Sequence, residues 1–231
     1  MQIEILQLLD GARQARGLSV IIDVFRAFSV ACYAFDGGVQ RIYPVGNIDE
    51  AYGLKRNNPA FLLVGERNEQ KPEGFDCGNS PSQLMKLNLQ GKTMVHTTSS
   101  GTQGIANALQ ADELITGSFV NAGAIINYIR RQNPAQLSLV CMGYACSYPT
   151  DEDTFFAEYI KAQLEDLPFD LGQMRNTLRA GAGARFFEPD KQAWAPQADF
   201  DLCLQLNRFN FVLKVEKENG QNYLKRIDSK E

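Results

Sequence analysis

Short apolar runs recur along the first two-thirds of the chain, and stretches with helical spacing separate them. Residues 18–23 form such a run, closing on Asp23, and read as a buried strand. Residues 26–35 follow with helical spacing until Gly37 and Gly38 stop them. Further strands are predicted at 41–45, 61–65, 92–96, 113–117 and 137–142. Pro44 argues for an edge position or a strand end. Helices are predicted to start near residue 47 and to cover 82–87, 103–111, the stretch up to Arg131, and 150–164. The last third is less regular. Residues 178–187 resist assignment, whereas 209–215 and 222–227 alternate as strands around an Asn219-Gly220 turn. The tail from Asp228 is polar and is expected to fray.

Strands alternating with helices predict an α/β fold. Its sheet is mostly parallel, with helices on both faces in three layers (α/β/α) and a C-terminal hairpin. No linker or repeat divides the chain, so one domain over 1–231 is expected. Right-handed crossovers would set the strand C-termini along one edge, and ligands bind outside that edge.

The 231 residues are 44% hydrophobic and 22% charged, an ordinary globular balance. A formal net charge of −4 lacks the basic footprint of a nucleic-acid binder. No apolar run approaches the roughly 18 residues that span a bilayer, and the N-terminus does not read as a signal peptide. The five cysteines form no Cys-x-x-Cys pair, which suits reduced thiols and a cytoplasmic location. The one histidine, His96, excludes a multi-histidine metal site. A bound metal would take oxygen ligands, favouring Mg²⁺, Mn²⁺ or Ca²⁺. A homodimer is the base-rate expectation.

Polar groups follow five strands in succession: Asp23 with Arg26, Glu66 with Arg67, residues 97–102, residues 118–121, and the loop to Glu152 and Asp153. Asp23 either caps the next helix or serves as metal ligand or general acid/base. Arg26 and Arg67 either pair with neighbouring acids or bind an anion bidentately. The loop Gly74-Phe-Asp-Cys-Gly-Asn-Ser-Pro81 offers oxygens from Asp76, Asn79 and Ser80; Cys77 is not expected to be a nucleophile. Thr97-Thr-Ser-Ser-Gly-Thr102, between a strand and a helix, resembles a phosphate loop, with Thr98, Gly101, Thr102 and helix N–H groups facing an anion. Its alternative is an ordinary helix cap. His96 is expected to be a half-buried strand residue without a catalytic role. Acids at 151–153 suit a helix start by the macrodipole alone, and with the others they could complete a Mg²⁺ site.

Ile22-Asp-Val-Phe-Arg-Ala27, Gly65-Glu-Arg67, the 74–81 loop, the 97–102 loop, Ser118-Phe-Val-Asn-Ala122 and Glu152-Asp153 stand in this order. The set resembles the 2-phosphosulfolactate phosphatase family over residues 18–165. The resemblance implies a Mg²⁺-dependent phosphatase that converts 2-phosphosulfolactate to sulfolactate in coenzyme M biosynthesis. It puts Asp23, Glu66 and Asp76 forward for catalysis, and Asp23, Asp76, Glu152 and Asp153 for the metal. Arg26, Arg67, Asn79, Ser80, Thr98, Gly101, Thr102 and Asn121 would line the pockets of a small anionic organophosphate. Phe28, Ser29, Ser100 and Glu158 depart from the family pattern and could reshape or recharge the pocket. The alternatives are a phosphatase of another small organophosphate, or a non-catalytic binding module for a phosphorylated or sulfonated acid.

Overall fold

The computed structural model describes residues 1–228; the polar tail beyond Asp228 lies outside the described residues. Its elements run β1 (Gln2–Gln7), α1 (Leu8–Gln14), β2 (Leu18–Ile22), α2 (Ala27–Asp36), β3 (Arg41–Pro44), α3 (Ile48–Asn57), β4 (Leu62–Gly65), α4 (Pro81–Leu84), β5 (Thr93–Thr97) and α5 (Gly101–Asn107). There follow β6 (Glu113–Gly117), α6 (Ala122–Gln132), β7 (Gln136–Cys141), α7 (Asp151–Leu164), α8 (Leu171–Ala180), α9 (Gln197–Cys203), β8 (Phe211–Glu218) and β9 (Gln221–Asp228). Among the described residues no helix is long and apolar enough to cross a membrane.

Local chemistry accounts for most of these boundaries. Asn47 caps α3 by accepting from the Asp49 N–H, acids occupy its first turn and Lys55 and Arg56 its last. In α6 the apolar positions Ala122, Ile125, Ile126 and Ile129 are buried, and Asn133 ends the helix in the left-handed conformation. Pro44 stands at a strand end, as expected, but its strand is internal, paired with β5 on one side and β9 on the other.

The sheet order is β1-β7-β2-β6-β8-β9-β3-β5-β4. Two parallel groups, β1-β7-β2-β6 and β3-β5-β4, are joined by the antiparallel β8–β9 hairpin. Its two flanks are also antiparallel and thin: β6 meets β8 at two residue pairs and β9 meets β3 at one. Three antiparallel steps set the two groups in opposite senses along the ladder. The strand C-termini therefore do not share one edge of a uniformly parallel sheet, as the sequence suggested.

They converge because the sheet wraps a common core. Residues 27–35 of α2 are all buried. All but Ser29 belong to one cluster with Ile21 and Val140 from the first group, Phe211, Leu213 and Leu224 from the hairpin, and Ile42, Val64 and Met94 from the second. The opposite face carries two separate clusters. One lies under α6 and α7, and a smaller one around Ala51 of α3, Leu63 and Val95. An apolar helix buried on all sides demands walls from both strand groups, and that brings the loops after β2 and β5 together.

Candidate active site

One cleft opens where those loops meet. Asp23, Glu66 and Glu152 line it together with Arg26, Asn79, Ser99, Ser100, Tyr144 and Arg185.

Asp23 follows β2 directly. Its Oδ1 accepts from the Ala27 N–H (3.0 Å) and so caps α2, while Oδ2 accepts from the Gly101 N–H (2.8 Å). Gly101 has no room for a side chain: a Cβ there would stand 2.9 Å from Asp23 Oδ2 and from Ala27 Cβ. Asp23 thus bonds the first N–H of α2 and also lines the cleft. Burial raises its carboxyl from 3.8 to about 6, against the lowering effect of the two N–H bonds.

Glu66 accepts from the Ser99 N–H (2.6 Å) and hydroxyl and from the Glu69 N–H (2.9 Å). The phosphate-loop reading offered the loop's hydroxyls, its glycine and the N–H groups of the next helix to a ligand. Three N–H groups of this stretch are taken within the protein: Ser99 by Glu66, Gly101 by Asp23, and Thr102 by the Thr98 hydroxyl. Thr98 and Thr102 are buried, bond each other, and do not line the cleft.

Glu152 and Asp153 are adjacent but differ in role. Asp153 is buried, and its two oxygens accept from the Val24 N–H (2.8 Å) and the Gly143 N–H (2.9 Å), tying the ends of β2 and β7 together. Glu152 lines the cleft, and its buried Oε2 has no hydrogen-bond partner. Burial raises Glu152 from 4.5 to about 7, although the Arg185 guanidinium pulls it down. Burial, with Glu152 and Asp23 nearby, also holds Asp153 well above the carboxylate range.

Four other sequence candidates lie outside the cleft lining. Asp76 Oδ2 accepts from the Leu63 N–H (2.8 Å) and lies 3.4 Å from Lys55 Nζ, which ties the 74–81 loop to β4. Arg67 spends its guanidinium on the carbonyls of Glu66 and Gly46 and the Thr97 hydroxyl, beside a separate shallow opening. Ser80 is buried and caps α4, accepting from the Gln83 N–H. Asn121 is buried and donates to the Phe211 carbonyl, anchoring β8. Asn79 does line the cleft, its Oδ1 lying 3.3 Å from His96 Nε2. His96 is fully rather than half buried, and burial lowers its imidazole to about 3. The Cys77 thiol is buried and raised to about 11, and all five cysteines are free.

Among the departures from the family pattern, Phe28 is 1% exposed in the core and Glu158 is on the surface, so neither touches the cleft. Ser100 lines it and donates to the Gly143 carbonyl (2.7 Å).

Arg185 comes from the poorly patterned 178–187 stretch and follows no strand, so its sequence position did not mark it as a site residue. Its guanidinium enters the cleft, donating to Glu69 Oε1 (3.0 Å) and the Phe25 carbonyl (3.2 Å). Close packing after α8 delivers it there: a Cβ on Gly183 would stand 2.5 Å from the Phe200 ring. The repeated glycines of 181–183 were the available signal.

Among the described residues no three His, Cys, Asp or Glu side chains form a ready cage for a metal ion. Mg²⁺ does not require one, since it commonly takes one or two carboxylates and completes its shell with water and substrate oxygens. The orphaned Glu152 Oε2 and the raised Asp23 carboxyl are groups that a cation would relieve. The donor set therefore fits a hard divalent cation.

The family model described as 2-phosphosulpholactate phosphatase matches residues 4–218. A relative from Caldanaerobacter subterraneus subsp. tengcongensis is 38% identical over 211 residues, covering 85% of this chain and 87% of the relative. One from Thermotoga petrophila is 38% identical over 172 residues, covering 74% and 69%. One from Bacillus subtilis is 29% identical over 214 residues, covering 91% and 92%. Each of the three is named "Probable 2-phosphosulfolactate phosphatase". With nearly the whole length matched, the chain belongs to the 2-phosphosulpholactate phosphatase family, a family of phosphoric monoester hydrolases.

Proposed function

We propose that this protein hydrolyses the phosphate monoester of a small 2-hydroxy acid in a Mg²⁺-dependent reaction. The first candidate is 2-phosphosulfolactate, the compound named in its relatives. The proposed place is then the sulfolactate-forming step of coenzyme M biosynthesis. The observation that carries the reading is the single cleft in which three buried carboxylates, Asp23, Glu66 and Glu152, face two guanidiniums, Arg26 and Arg185.

Arg26 and Arg185 attract the anionic substrate, and their planar N–H groups suit phosphate, carboxylate and sulfonate oxygens alike. Asp23 and Glu152 would hold Mg²⁺. When bound, the ion supplies charge neutralisation at the phosphoryl oxygens. Glu66 is locked by three hydrogen bonds from Ser99 and Glu69, which suits an orienting role at the cleft wall better than proton transfer. Without the ion, burial holds these two carboxyls, Asp23 and Glu152, near 6 and 7. A carboxylate that ligates Mg²⁺ carries no proton, so acid–base work on the leaving alkoxide or the attacking water would fall to whichever of the two is not ligating it. Burial of these groups strengthens every charge interaction in the cleft.

Phosphate release by the purified protein tests this, with and without Mg²⁺, across phosphosulfolactate, phospholactate and phosphoglycerate. Mg²⁺-dependent release with one preferred compound is expected. A folded protein that releases phosphate from none of them removes the hydrolase reading for 2-phospho acids.

A further inference from the structure

We infer that Asp199, in the C-terminal helix α9, is a positioning residue that sets the Arg26 guanidinium against the substrate anion. The inference rests on the hydrolase reading above and adds to it a working part of the site outside the cleft lining.

Arg26 is 4% exposed and Asp199 is 0% exposed. Asp199 Oδ2 accepts from Arg26 Nη1 at 2.6 Å, and Oδ1 accepts from the Ser82 N–H at 2.9 Å, in the first turn of α4. With each oxygen committed to a different segment, the carboxylate cannot turn without losing one of them. The Phe186 ring lies 5.6 Å from Arg26 Cζ and limits movement on that side. Two neighbouring segments are thereby fixed to α9: the one carrying Arg26 and the one that follows Asn79, both of which line the cleft.

The charges give this contact its function. Asp23, Glu66 and Glu152 line the same cleft as Arg26. An unrestrained guanidinium beside three buried acids would collapse onto one of them. Among the described residues Arg26 makes its ion pair with Asp199 and with none of the three. Through Nη1 it makes the one side-chain hydrogen bond recorded for it, to Asp199, so its other N–H groups remain for a ligand. Asp199 thus keeps the cation off the cleft acids and leaves those acids for protons or a cation of their own.

A double-mutant cycle tests the inference. Asp199→Asn, Arg26→Gln and the double variant are compared for kcat/KM, for affinity for inorganic phosphate by calorimetry with Mg²⁺ present, and for melting temperature. Asp199→Asn should lose about 100-fold in kcat/KM, the scale of an ångström of misplacement. It should also bind phosphate about tenfold more weakly. The double variant should be no worse than Arg26→Gln alone, because Asp199 acts through Arg26. Asp199→Glu, which keeps the charge, should recover part of the phosphate affinity. Losses that simply add, or an Asp199→Asn protein with only a lower melting temperature and wild-type constants, overturn the positioning role. If Asp199→Asn does not fold, Asp199→Ser is compared instead, and wild-type constants there overturn the inference equally. A wild type that binds phosphate without turning over any phosphomonoester sinks the hydrolase reading, while the phosphate comparison still decides on Asp199. A wild type that neither binds nor turns over sinks both.

Discussion

The acidic and basic walls of the cleft are held by different means. Asp23 and Glu66 stand at strand ends and are fixed largely by backbone N–H groups of the adjoining loops, from Ala27 and Gly101 for one, Ser99 and Glu69 for the other. Arg26 and Arg185 are fixed by carboxylates far away in sequence, Asp199 and Glu69, 173 and 116 positions from them. Each of the two acids takes one N–H from its own turn, Ala27 or Glu69, and one from the loop after β5, 78 and 33 positions away. A long guanidinium that must leave donors free for a ligand needs an opposing charge to orient it, and here the C-terminal third contributes to both pairs. The two strand-end acids are thus held in part by their own turns, whereas both guanidiniums are oriented by partners that only the closed tertiary structure brings near.

The sharpest way to break this comparison is Asp23→Asn. Turnover should fall by about 10²–10⁴-fold, the range for a lost acid–base group. The melting temperature should fall only modestly: the amide puts no charge in a buried place, but its nitrogen cannot accept and leaves the Ala27 or the Gly101 N–H without a partner. Retained kcat would remove Asp23 from the chemistry.

Next comes pH. Burial raises Asp23 from 3.8 to about 6 and Glu152 from 4.5 to about 7, so between about pH 4 and 7 the fold holds protons that the unfolded chain has released. Stability must therefore fall as pH rises through that window, on the order of 3 kcal/mol for a carboxyl so displaced. Without divalent cations the protein should melt lower at pH 8 than at pH 5. Added Mg²⁺ should recover more at pH 8, and scanning calorimetry at both pH values would show an equal response if the cleft acids hold no cation.

Asp153→Ala strands the buried Val24 and Gly143 N–H groups and should cost on the order of 2 kcal/mol in urea unfolding. Glu152→Gln, one residue earlier, should leave stability unharmed and lower activity. The reverse outcome would exchange the roles given to these neighbours. Arg185→Gln should raise KM about tenfold with a smaller change in kcat, the pattern of lost binding common to ground and transition states. An unchanged KM would confine Arg185 to its bond with Glu69. The smallest effect is expected at Asp76→Asn, about twofold or less in kcat/KM, since an exposed-side loop tie of this kind contributes around 1 kcal/mol. A large loss there would return Asp76 to the site.

Much of the fold was legible because its signals are local. The apolar runs of β2, β6 and β7 and the helical spacing of α2 and α7 need no partner to be recognised. Asn219 and Gly220 announce the β8–β9 turn by their left-handed backbones, with φ of 50° and 82°. Strand β1 was not legible: its residues are only partly buried, and pairing with β7 along its full length makes it a strand. Helices α8 and α9 carry few buried positions and are defined by what they pack against.

The site divides in the same way. Residue type and position after a strand picked out Asp23, Arg26, Glu66, Asn79 and Glu152, all of which line the cleft. The same criteria also picked out Asp76, Arg67, Thr98 and Asn121, whose polar groups the fold turns to its own backbone and hydroxyls. Sequence alone determined the periodic elements and the stock of acids, arginines and hydroxyls at their ends, because those depend on neighbours a few residues apart. Tertiary structure alone decided which of them face one another. Two opposed strand groups close around a wholly buried helix, and a hydrogen-bonding group reaches a ligand only if no nearer partner has claimed it.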